Sequence, residues 1–355
     1  MKHFVIIVSV ALLTFACTSE QGADTRSIHL EEQNSFVLKP DSLNLFGSFD
    51  ENFKINKKGD KVAFSDRIKE KVFVFDDEGN FVQVYGENNK GPNGIISVDG
   101  YDFARDGRMV ILDLKQSLLK IFDSNGTVIK SSSVFENTEF YLAGSDFILY
   151  EDVIYLPILE GRYANSPDSS NLIGKMDLDG NFVDSFGSFD PFLNEDKQYL
   201  MENMFEISES GIIYTNLSSS YRINSYQINN NSYIESFGTE YPSFSLPQKD
   251  VKFNLSIPEI NNRMTGVSLT NSIHSTSDYF IKHVQILTEE WFKNVNSEDK
   301  YNFLVIYDLE TKEFLGEINI HGTLGAVHEN QLYIIEDFNP DNYTVGIYEL
   351  VEKGL

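Results

Sequence analysis

One pattern returns along most of the chain, and it constrains the fold more than any other feature of the sequence. A run of β-branched and aromatic residues reaches a short turn of Asp, Asn or Gly and is followed by a second run with alternating apolar positions. The pattern is clearest at 71–86, 118–131, 171–187, 222–238 and 303–318. Turns of this composition reverse antiparallel strands, so each of these segments is predicted to be a β-hairpin.

A further strand-like run precedes each hairpin, and most of these runs begin just after a short turn such as NKKGD or RDGR. That turn implies one more strand in front of the run. The repeating unit is therefore predicted to be a four-stranded antiparallel meander. Self-similarity along a whole chain is the mark of propellers and other repeat architectures.

Six such units can be counted, and the sixth lacks its outermost strand. Residues 27–38 (SIHLEEQNSFVL) are strand-like and stand ahead of the first unit. A strand from the N-terminus would complete the sixth unit, close the ring and remove an exposed edge. We therefore expect an all-β fold, a six-bladed β-propeller of four-stranded antiparallel blades whose ring is closed by an N-terminal strand.

Two other architectures remain open at this point. A two-layer β-sandwich, or two separate β domains, would also use many short strands. The single period without a linker argues against both. Residues 240–262 could also hide additional strands, which would give a seventh blade.

The N-terminus predicts export. Residues 1–16 begin with a basic residue, Lys2, and continue as a mostly apolar stretch that is too short to span a bilayer, as in a secretory signal peptide. Cys17, the only cysteine, follows at once and resembles the acylated cysteine of a bacterial lipobox, although Thr14 stands where leucine is usual. We expect lipidation at Cys17, a flexible tether over 17–27 and a propeller over 28–355. The alternative is an ordinary signal peptide with a cysteine near its cleavage site.

The first repeats carry a resemblance to a known family. The segments GNFVQVYG (79–86), KGPNGI (90–95) and DGRMVILDL (106–114) resemble the NHL-type propeller repeat. Together with the signal and Cys17, the chain is similar to NHL- and TolB-like six-bladed propeller lipoproteins of the Bacteroidetes. The resemblance implies a propeller in the bacterial cell envelope, facing the periplasm or the cell surface. It brings no catalytic residue with it, because propellers host unrelated functions.

Charge and cysteine content exclude several functions. The chain has 28 Lys and Arg against 54 Asp and Glu, for a net charge of −26. Nucleic-acid binding is not expected, because it depends on clustered basic residues. A single cysteine excludes an internal disulfide, a CxxC redox pair and a thiolate zinc site.

The long loops are expected at one end of the propeller. In a four-stranded meander, the turns between strands one and two and between strands three and four share one end, and here they are short. The other end receives the long segments, among them 160–170, 189–201 and 288–300. Insertions on one side of a rigid scaffold usually mark the functional side. Aromatic and Arg residues on these loops are the candidate ligand contacts, namely Arg67, Arg162, Tyr163, Tyr199, Tyr221, Arg222 and Trp291.

One loop has the alternating oxygen donors of a calcium site. Asp337, Asn339 and Asp341 follow that spacing, but Asn342 stands where an EF-hand loop needs Gly. An ordinary turn explains the same residues. We expect no cofactor, with calcium as the one ion that the sequence leaves open.

These features favour a monomeric, lipid-anchored protein that binds a peptide, a glycan or a partner protein through the long-loop face. The alternative is a calcium-dependent hydrolase, lactonase or lyase whose ligands lie on separate blades around the central channel. A scaffolding or sensory subunit of an envelope complex is a third hypothesis. No catalytic signature is present to favour an enzyme.

Overall fold

The computed structural model describes most of the chain as a ring of sheets. The described residues are 27–39, 47–86, 91, 94–135, 140–142, 146–160, 171–188, 202–247, 255–294, 299–339 and 343–353. Within them, every strand belongs to one of six antiparallel sheets. The six-bladed β-propeller predicted from the repeats is confirmed, and the sandwich, two-domain and seven-bladed alternatives are wrong.

The strands follow one another blade by blade. The chain enters with β1 (Ser27–Val37), and blade 1 then consists of β2 (Lys54–Ile55), β3 (Lys61–Asp66), β4 (Lys71–Asp76) and β5 (Phe81–Tyr85). Blade 2 consists of β6 (Gly100–Phe103), β7 (Met109–Asp113), β8 (Leu118–Phe122) and β9 (Val128–Ser133). Blade 3 consists of β10 (Phe140–Leu142), β11 (Ile148–Tyr150), β12 (Val153–Glu160), β13 (Ile173–Asp177) and β14 (Phe182–Phe186).

The second half continues in the same way. Blade 4 consists of β15 (Asn203–Ile207), β16 (Ile212–Leu217), β17 (Ile223–Gln227) and β18 (Ser232–Phe237). Helix α1 (Ile257–Met264) lies between blades 4 and 5. Blade 5 consists of β19 (Ser268–Ser275), β20 (Tyr279–Leu287), β21 (Lys300–Asp308) and β22 (Phe314–Ile320), with α2 (Glu289–Asn294) between β20 and β21. Blade 6 consists of β23 (Thr323–His328), β24 (Gln331–Asp337), β25 (Thr344–Lys353) and β1.

The N-terminal strand closes the ring as predicted. β1 pairs antiparallel with β25, from Ser27 opposite Lys353 to Val37 opposite Thr344. The chain then crosses to blade 1, where the Lys39 amide donates a hydrogen bond to the Gly79 carbonyl at 2.8 Å. Gly79 has a φ of 78°, and a side chain there would overlap the carbonyl oxygen of Val37. Glycine is therefore required both by the turn and by the close approach of the closing strand.

The core is divided among the six interfaces between neighbouring blades. Each interface has its own cluster of buried apolar side chains. Between blades 6 and 1, the Phe49 ring lies 5.0 Å from that of Tyr343 and 5.7 Å from that of Phe73, both in edge-to-face geometry. Sheets packed on both sides bury both of their faces, which explains the continuous apolar runs in the middle strands.

The innermost strands surround the propeller axis. β2, β6, β11, β15, β19 and β23 are neighbours in that order, and β23 in turn contacts β2. In blade 3 the inner position is shared by two short strands, β10 and β11, which both pair with β12. The ring of inner strands determines which side chains meet at the centre.

The segment between blades 4 and 5 differs from the expectation. Within residues 240–262, where additional strands would have given a seventh blade, helix α1 begins at Ile257. The Ser256 amide donates to the Glu259 carboxylate at 3.0 Å, and Pro258 occupies the first turn. These are helix-start signals that the β repeat obscured. Neither helix of the described residues has the length and apolar character needed to cross a membrane.

Candidate functional site

A cavity of about 390 Å³ lies at the centre of the propeller. Its wall includes residues of inner strands from blades 1, 4, 5 and 6 and of the segment that leads into β11. Arg67, Ser218 and Trp291 lie on it at the long-loop end, while Glu206 and His274 lie deeper along their strands. The cavity is therefore reached from the side on which sequence analysis placed the functional loops.

The floor of the cavity, where Lys54, Glu206 and His274 lie, carries the ammonium group of Lys54. Its ammonium lies 2.6 Å from the Asp146 carboxylate and donates to the Phe147 carbonyl at 3.2 Å. Burial opposes its ionisation, but the charges of Asp146, Asp102 and Glu206 outweigh that effect and raise the pKa of Lys54. Carboxyl groups from three successive blades thus surround one lysine.

Two of these carboxyl groups titrate near neutral pH. Burial raises the pKa of Asp102 to about 6, against the lowering effect of the Lys54 charge and of the hydrogen bond that the Leu149 amide donates at 2.8 Å. Burial raises the pKa of Glu206 to about 8, again against Lys54 and against a hydrogen bond from the Ser275 amide. Carboxyl groups with raised pKa values in a central cavity are typical of functional sites.

His274 faces the same floor as a neutral side chain. Burial lowers its pKa to about 3, and the charges of His283 and Lys54 act in the same direction. Its Nε2 lies 3.1 Å from the Ser272 hydroxyl. His274 is therefore a neutral hydrogen-bonding group at any ordinary pH.

Three side chains on the wall carry a buried oxygen that takes part in no hydrogen bond within the described part of the chain. They are Asn52 Oδ1, Asn203 Oδ1 and Thr270 Oγ1. Asn203 is oriented by its other amide atom, since Nδ2 donates to the Leu172 carbonyl at 3.0 Å. A buried polar atom without a partner costs about 1–3 kcal/mol, and these three oxygens are closed off from solvent as well.

The mouth of the cavity, at its long-loop end, carries the aromatic side chain of Trp291. Trp291, on α2, packs edge-to-face against Phe292 with ring centroids 5.0 Å apart, and the Lys300 ammonium lies 5.7 Å from the Trp291 ring centroid. Lys300 is itself paired with Glu51 at 2.6 Å, and Gln285 donates to the same carboxylate at 3.0 Å. A tryptophan beside a polar wall gives a ligand both a flat apolar surface and hydrogen-bonding groups.

The residues selected from sequence fall into three groups. Arg67 and Trp291 line the cavity. Tyr221 instead packs edge-to-face on Phe244, with centroids 5.4 Å apart, and Arg222 is exposed to solvent, so neither belongs to the cavity wall as the structure describes it. Arg162, Tyr163, Tyr199, Cys17 and Asp341 lie outside the described residues.

The weak calcium candidates show turn geometry where they are described. Asp337 ends β24, and its carboxylate accepts the Asn339 amide at 2.8 Å. Among the described residues, no group of three or more His, Cys, Asp or Glu side chains is placed to hold a metal ion.

Sequence analysis missed three inner-strand residues on the floor, Lys54, Glu206 and His274, and also Asp102, whose charge acts on Lys54 and Glu206. Lys54, Asp102, Glu206 and His274 each stand second in a three-residue stretch: FKI, YDF, FEI and IHS. An ionisable residue between mostly apolar neighbours, in the first strand of four different repeats, is the signal that could have revealed them.

The comparisons with known proteins bear on the fold alone. No protein-family model and no curated protein matches the sequence. A crystal structure of a DUF4221 family member from Bacteroides vulgatus is similar over 93% of this chain and 100% of that one, with a TM-score of 0.72 and 12% identity. A Bacteroides fragilis protein described as exported is similar over 93% of this chain and 98% of that one, with a TM-score of 0.60 and 11% identity. At such identities the likeness shows that the same propeller architecture occurs in these proteins, and nothing further.

Proposed function

We propose that this protein is an exported, lipid-anchored β-propeller that binds a small polar ligand, or the end of a larger one, in its central cavity. The ligand enters from the long-loop face, past Trp291 and Arg67. The function is binding, and the inner strands supply the recognition groups.

The cavity is the observation that carries this proposal. Small-molecule sites usually measure about 300–1,000 Å³, so about 390 Å³ suits one or two sugar units or a short peptide end. Its wall combines amides, hydroxyls and paired charges with Trp291, which favours a polar ligand over a lipid. A peptide, a glycan chain or a partner protein would insert one terminus.

The proposed export and lipid anchoring rest mainly on the N-terminal sequence. The signal over 1–16 and the position of Cys17 support export and lipid anchoring, and the described export of the Bacteroides fragilis structural neighbour agrees with it. Fractionation tests the anchor. Replacement of Cys17 by Ser should move the protein from the membrane fraction to the soluble fraction, and retention in the membrane would contradict it.

No observation on the described residues favours the enzyme alternative. The described residues hold no cluster suited to a metal ion, and the raised pKa values at the floor are equally suited to ligand binding. Calcium dependence therefore stays an untested prediction.

Binding can be tested with the protein's own fluorescence. Trp291 is the only tryptophan, so its emission reports on the cavity mouth alone. We would titrate the mature protein with N-acetylglucosamine, cellobiose and alanylalanine. At least one is expected to give a saturable change.

A matched pair of variants places the binding in the cavity. Asn271→Tyr adds an aromatic ring to the cavity wall, whereas Asn319→Tyr makes the same change on the exposed outer strand β22. Binding should be lost in the first and kept in the second. Equal binding by both variants, or no saturable change with any probe, would overturn the proposal.

A further inference from the structure

Carboxylates accompany the cations of the described cavity wall. Each positively charged side chain on it is held by a carboxylate of its own: Lys54 by Asp146 at 2.6 Å, Lys300 by Glu51 at 2.6 Å, and Arg67 by Asp50. A ligand that enters the cavity therefore meets no unpaired positive charge on the described wall. An anionic ligand would have to compete with these three acids.

The acceptors on the same wall are not fully engaged. Glu202 and Glu206 form no ion pair with any described residue, and Glu206 accepts one backbone hydrogen bond, from Ser275. The described wall thus has two carboxyl groups without a cationic partner, and one of them, Glu206, has a single backbone donor.

Glu202 and Glu206 lie at two different depths of the cavity, along the direction of β15. Residues four apart on an extended chain lie about 13 Å apart and point to the same side. Glu202 is exposed near the start of β15, and Glu206 reaches the floor. A positive group would be attracted at the mouth and then received at the bottom.

We propose that the cavity recognises a primary ammonium group on its ligand, and that Glu206 is the residue that receives it. This inference rests on the proposed function, since it names the class of ligand that the cavity binds. An ammonium supplies three donors and one positive charge, which suits a carboxyl group that has one backbone donor and no ion pair. A neutral hydroxyl would supply a donor but no positive charge to stabilise the ionised form of Glu206.

Ligand entry is coupled to the protonation of Glu206. The groups that face this floor are Lys54 from β2, Asp102 from β6, Asp146 from the segment before β11 and His274 from β19, while β23 contributes Gly325. With a pKa of about 8, Glu206 holds a proton at neutral pH. An entering ammonium favours the carboxylate, so the carboxyl proton passes to the solvent as the ligand binds.

The coupling predicts how affinity depends on pH. If only the ionised form of Glu206 binds, about 1% of the protein is competent at pH 6 and about half at pH 8. Affinity should therefore rise about 50-fold over this range. Aliphatic amines stay protonated throughout, because their pKa is about 10.

A series of five-carbon probes isolates the ammonium group. We would measure binding of 1,5-diaminopentane, 5-amino-1-pentanol, 1,5-pentanediol and pentanedioate by calorimetry at pH 6 and pH 8. Two buffers with different ionisation heats would report proton release. The two amines should bind about tenfold or more tightly than the diol, with proton release below pH 8, and pentanedioate should bind least.

Two matched variants assign the effect to Glu206. Glu206→Gln keeps the shape and the acceptor but removes the charge, so it should abolish both the preference for amines and the pH dependence. Glu209→Gln makes the same change on an exposed turn of the same blade and should behave like the natural protein.

The outcomes separate this inference from the function beneath it. Diol or pentanedioate binding as tight as amine binding would overturn the ammonium assignment and leave the cavity function intact, as would sugar binding without any amine binding. An unchanged amine preference in Glu206→Gln would also overturn it. If no amine, sugar or dipeptide probe binds, both proposals are overturned together.

Discussion

Asp113 in blade 2 and Glu206 in blade 4 are both carboxyl groups withdrawn from bulk water, but the chain surrounds them in different ways. Asp113 ends β7 and accepts hydrogen bonds from the amides of Ile96 at 2.7 Å and Gln116 at 3.0 Å, and from the Gln116 side chain at 2.6 Å. Glu206 lies on the inner strand β15 and accepts one backbone hydrogen bond, from Ser275.

The difference separates a structural carboxylate from an available one. Asp66 repeats the role of Asp113 in blade 1, where it accepts the amides of Ser48, Ile68 and Lys69. Both residues hold the link between blades to the end of the second strand. Donors from its own loops satisfy such a carboxylate, whereas Glu206 retains the capacity to bind something else.

The largest expected effect follows from removing the satisfied carboxylate. Asp113 is fully buried, and Asp113→Ala would leave several backbone and side-chain donors without an acceptor. We expect the free energy of unfolding to fall by about 4 kcal/mol. Urea unfolding at pH 7 measures it.

Two further substitutions calibrate that result. Asp113→Asn keeps one acceptor oxygen and should give an intermediate loss. Asp123→Ala removes a carboxylate that accepts the amides of Asn125 and Thr127 in an outer turn, and should cost about 1 kcal/mol. Equal losses for the Ala variants at 113 and 123 would mean that burial of Asp113 has no special importance.

Removal of the Glu206 carboxyl group should have the opposite effect and stabilise the folded protein. Its pKa is about 8 in the folded protein and near 4.5 in the unfolded chain, so the folded state binds more protons between these values and stability falls as pH rises. Glu206→Gln lacks this penalty. We expect it to be more stable than the natural protein by about 3 kcal/mol at pH 7, with no difference below pH 4.5.

The pH series itself is the measurement, by urea unfolding from pH 4 to pH 9. Glu209→Gln, on an exposed turn, is the control and should follow the natural protein throughout. A stability difference for Glu206→Gln that is constant with pH would show that the carboxyl group titrates alike in both states, which would remove the contrast with Asp113.

The fold could be predicted because its signals are local and repeated. Short Asp/Gly turns define the hairpins, and the apolar runs of β3, β4 and β7 are long enough to identify a sheet buried on both faces. The closing role of 27–38 followed from a missing strand at the other end. Helix α1 was missed because a helix of eight residues gives little periodicity beside a dominant β pattern.

The site was harder to predict because it is assembled from distant residues. Trp291 and Arg67 were found since they stand on loops, where function is usually sought. Lys54 and Glu206 come from different blades, and nothing local distinguishes a channel-facing charge from one that faces solvent. Only the closed ring of inner strands shows that these residues meet.

The smallest expected effect on stability comes from removing the cation, Lys54, that acts on the Glu206 carboxyl group. Lys54→Met removes the ion pair with Asp146, and that half-exposed partner limits the loss of unfolding free energy to about 1–2 kcal/mol at pH 7. The same change takes away the positive charge that lowers the folded-state pKa of both Glu206 and Asp102, so the fall of stability with rising pH should extend to higher pH. Lys293→Met, which breaks the solvent-exposed pair with Glu289, should leave the curve in place. A shift to lower pH in Lys54→Met, or the same curve in both variants, would show that Lys54 does not control the floor of the cavity. The proposed ammonium ligand acts in the same sense as Lys54, because each adds positive charge beside a carboxyl group that has few donors of its own.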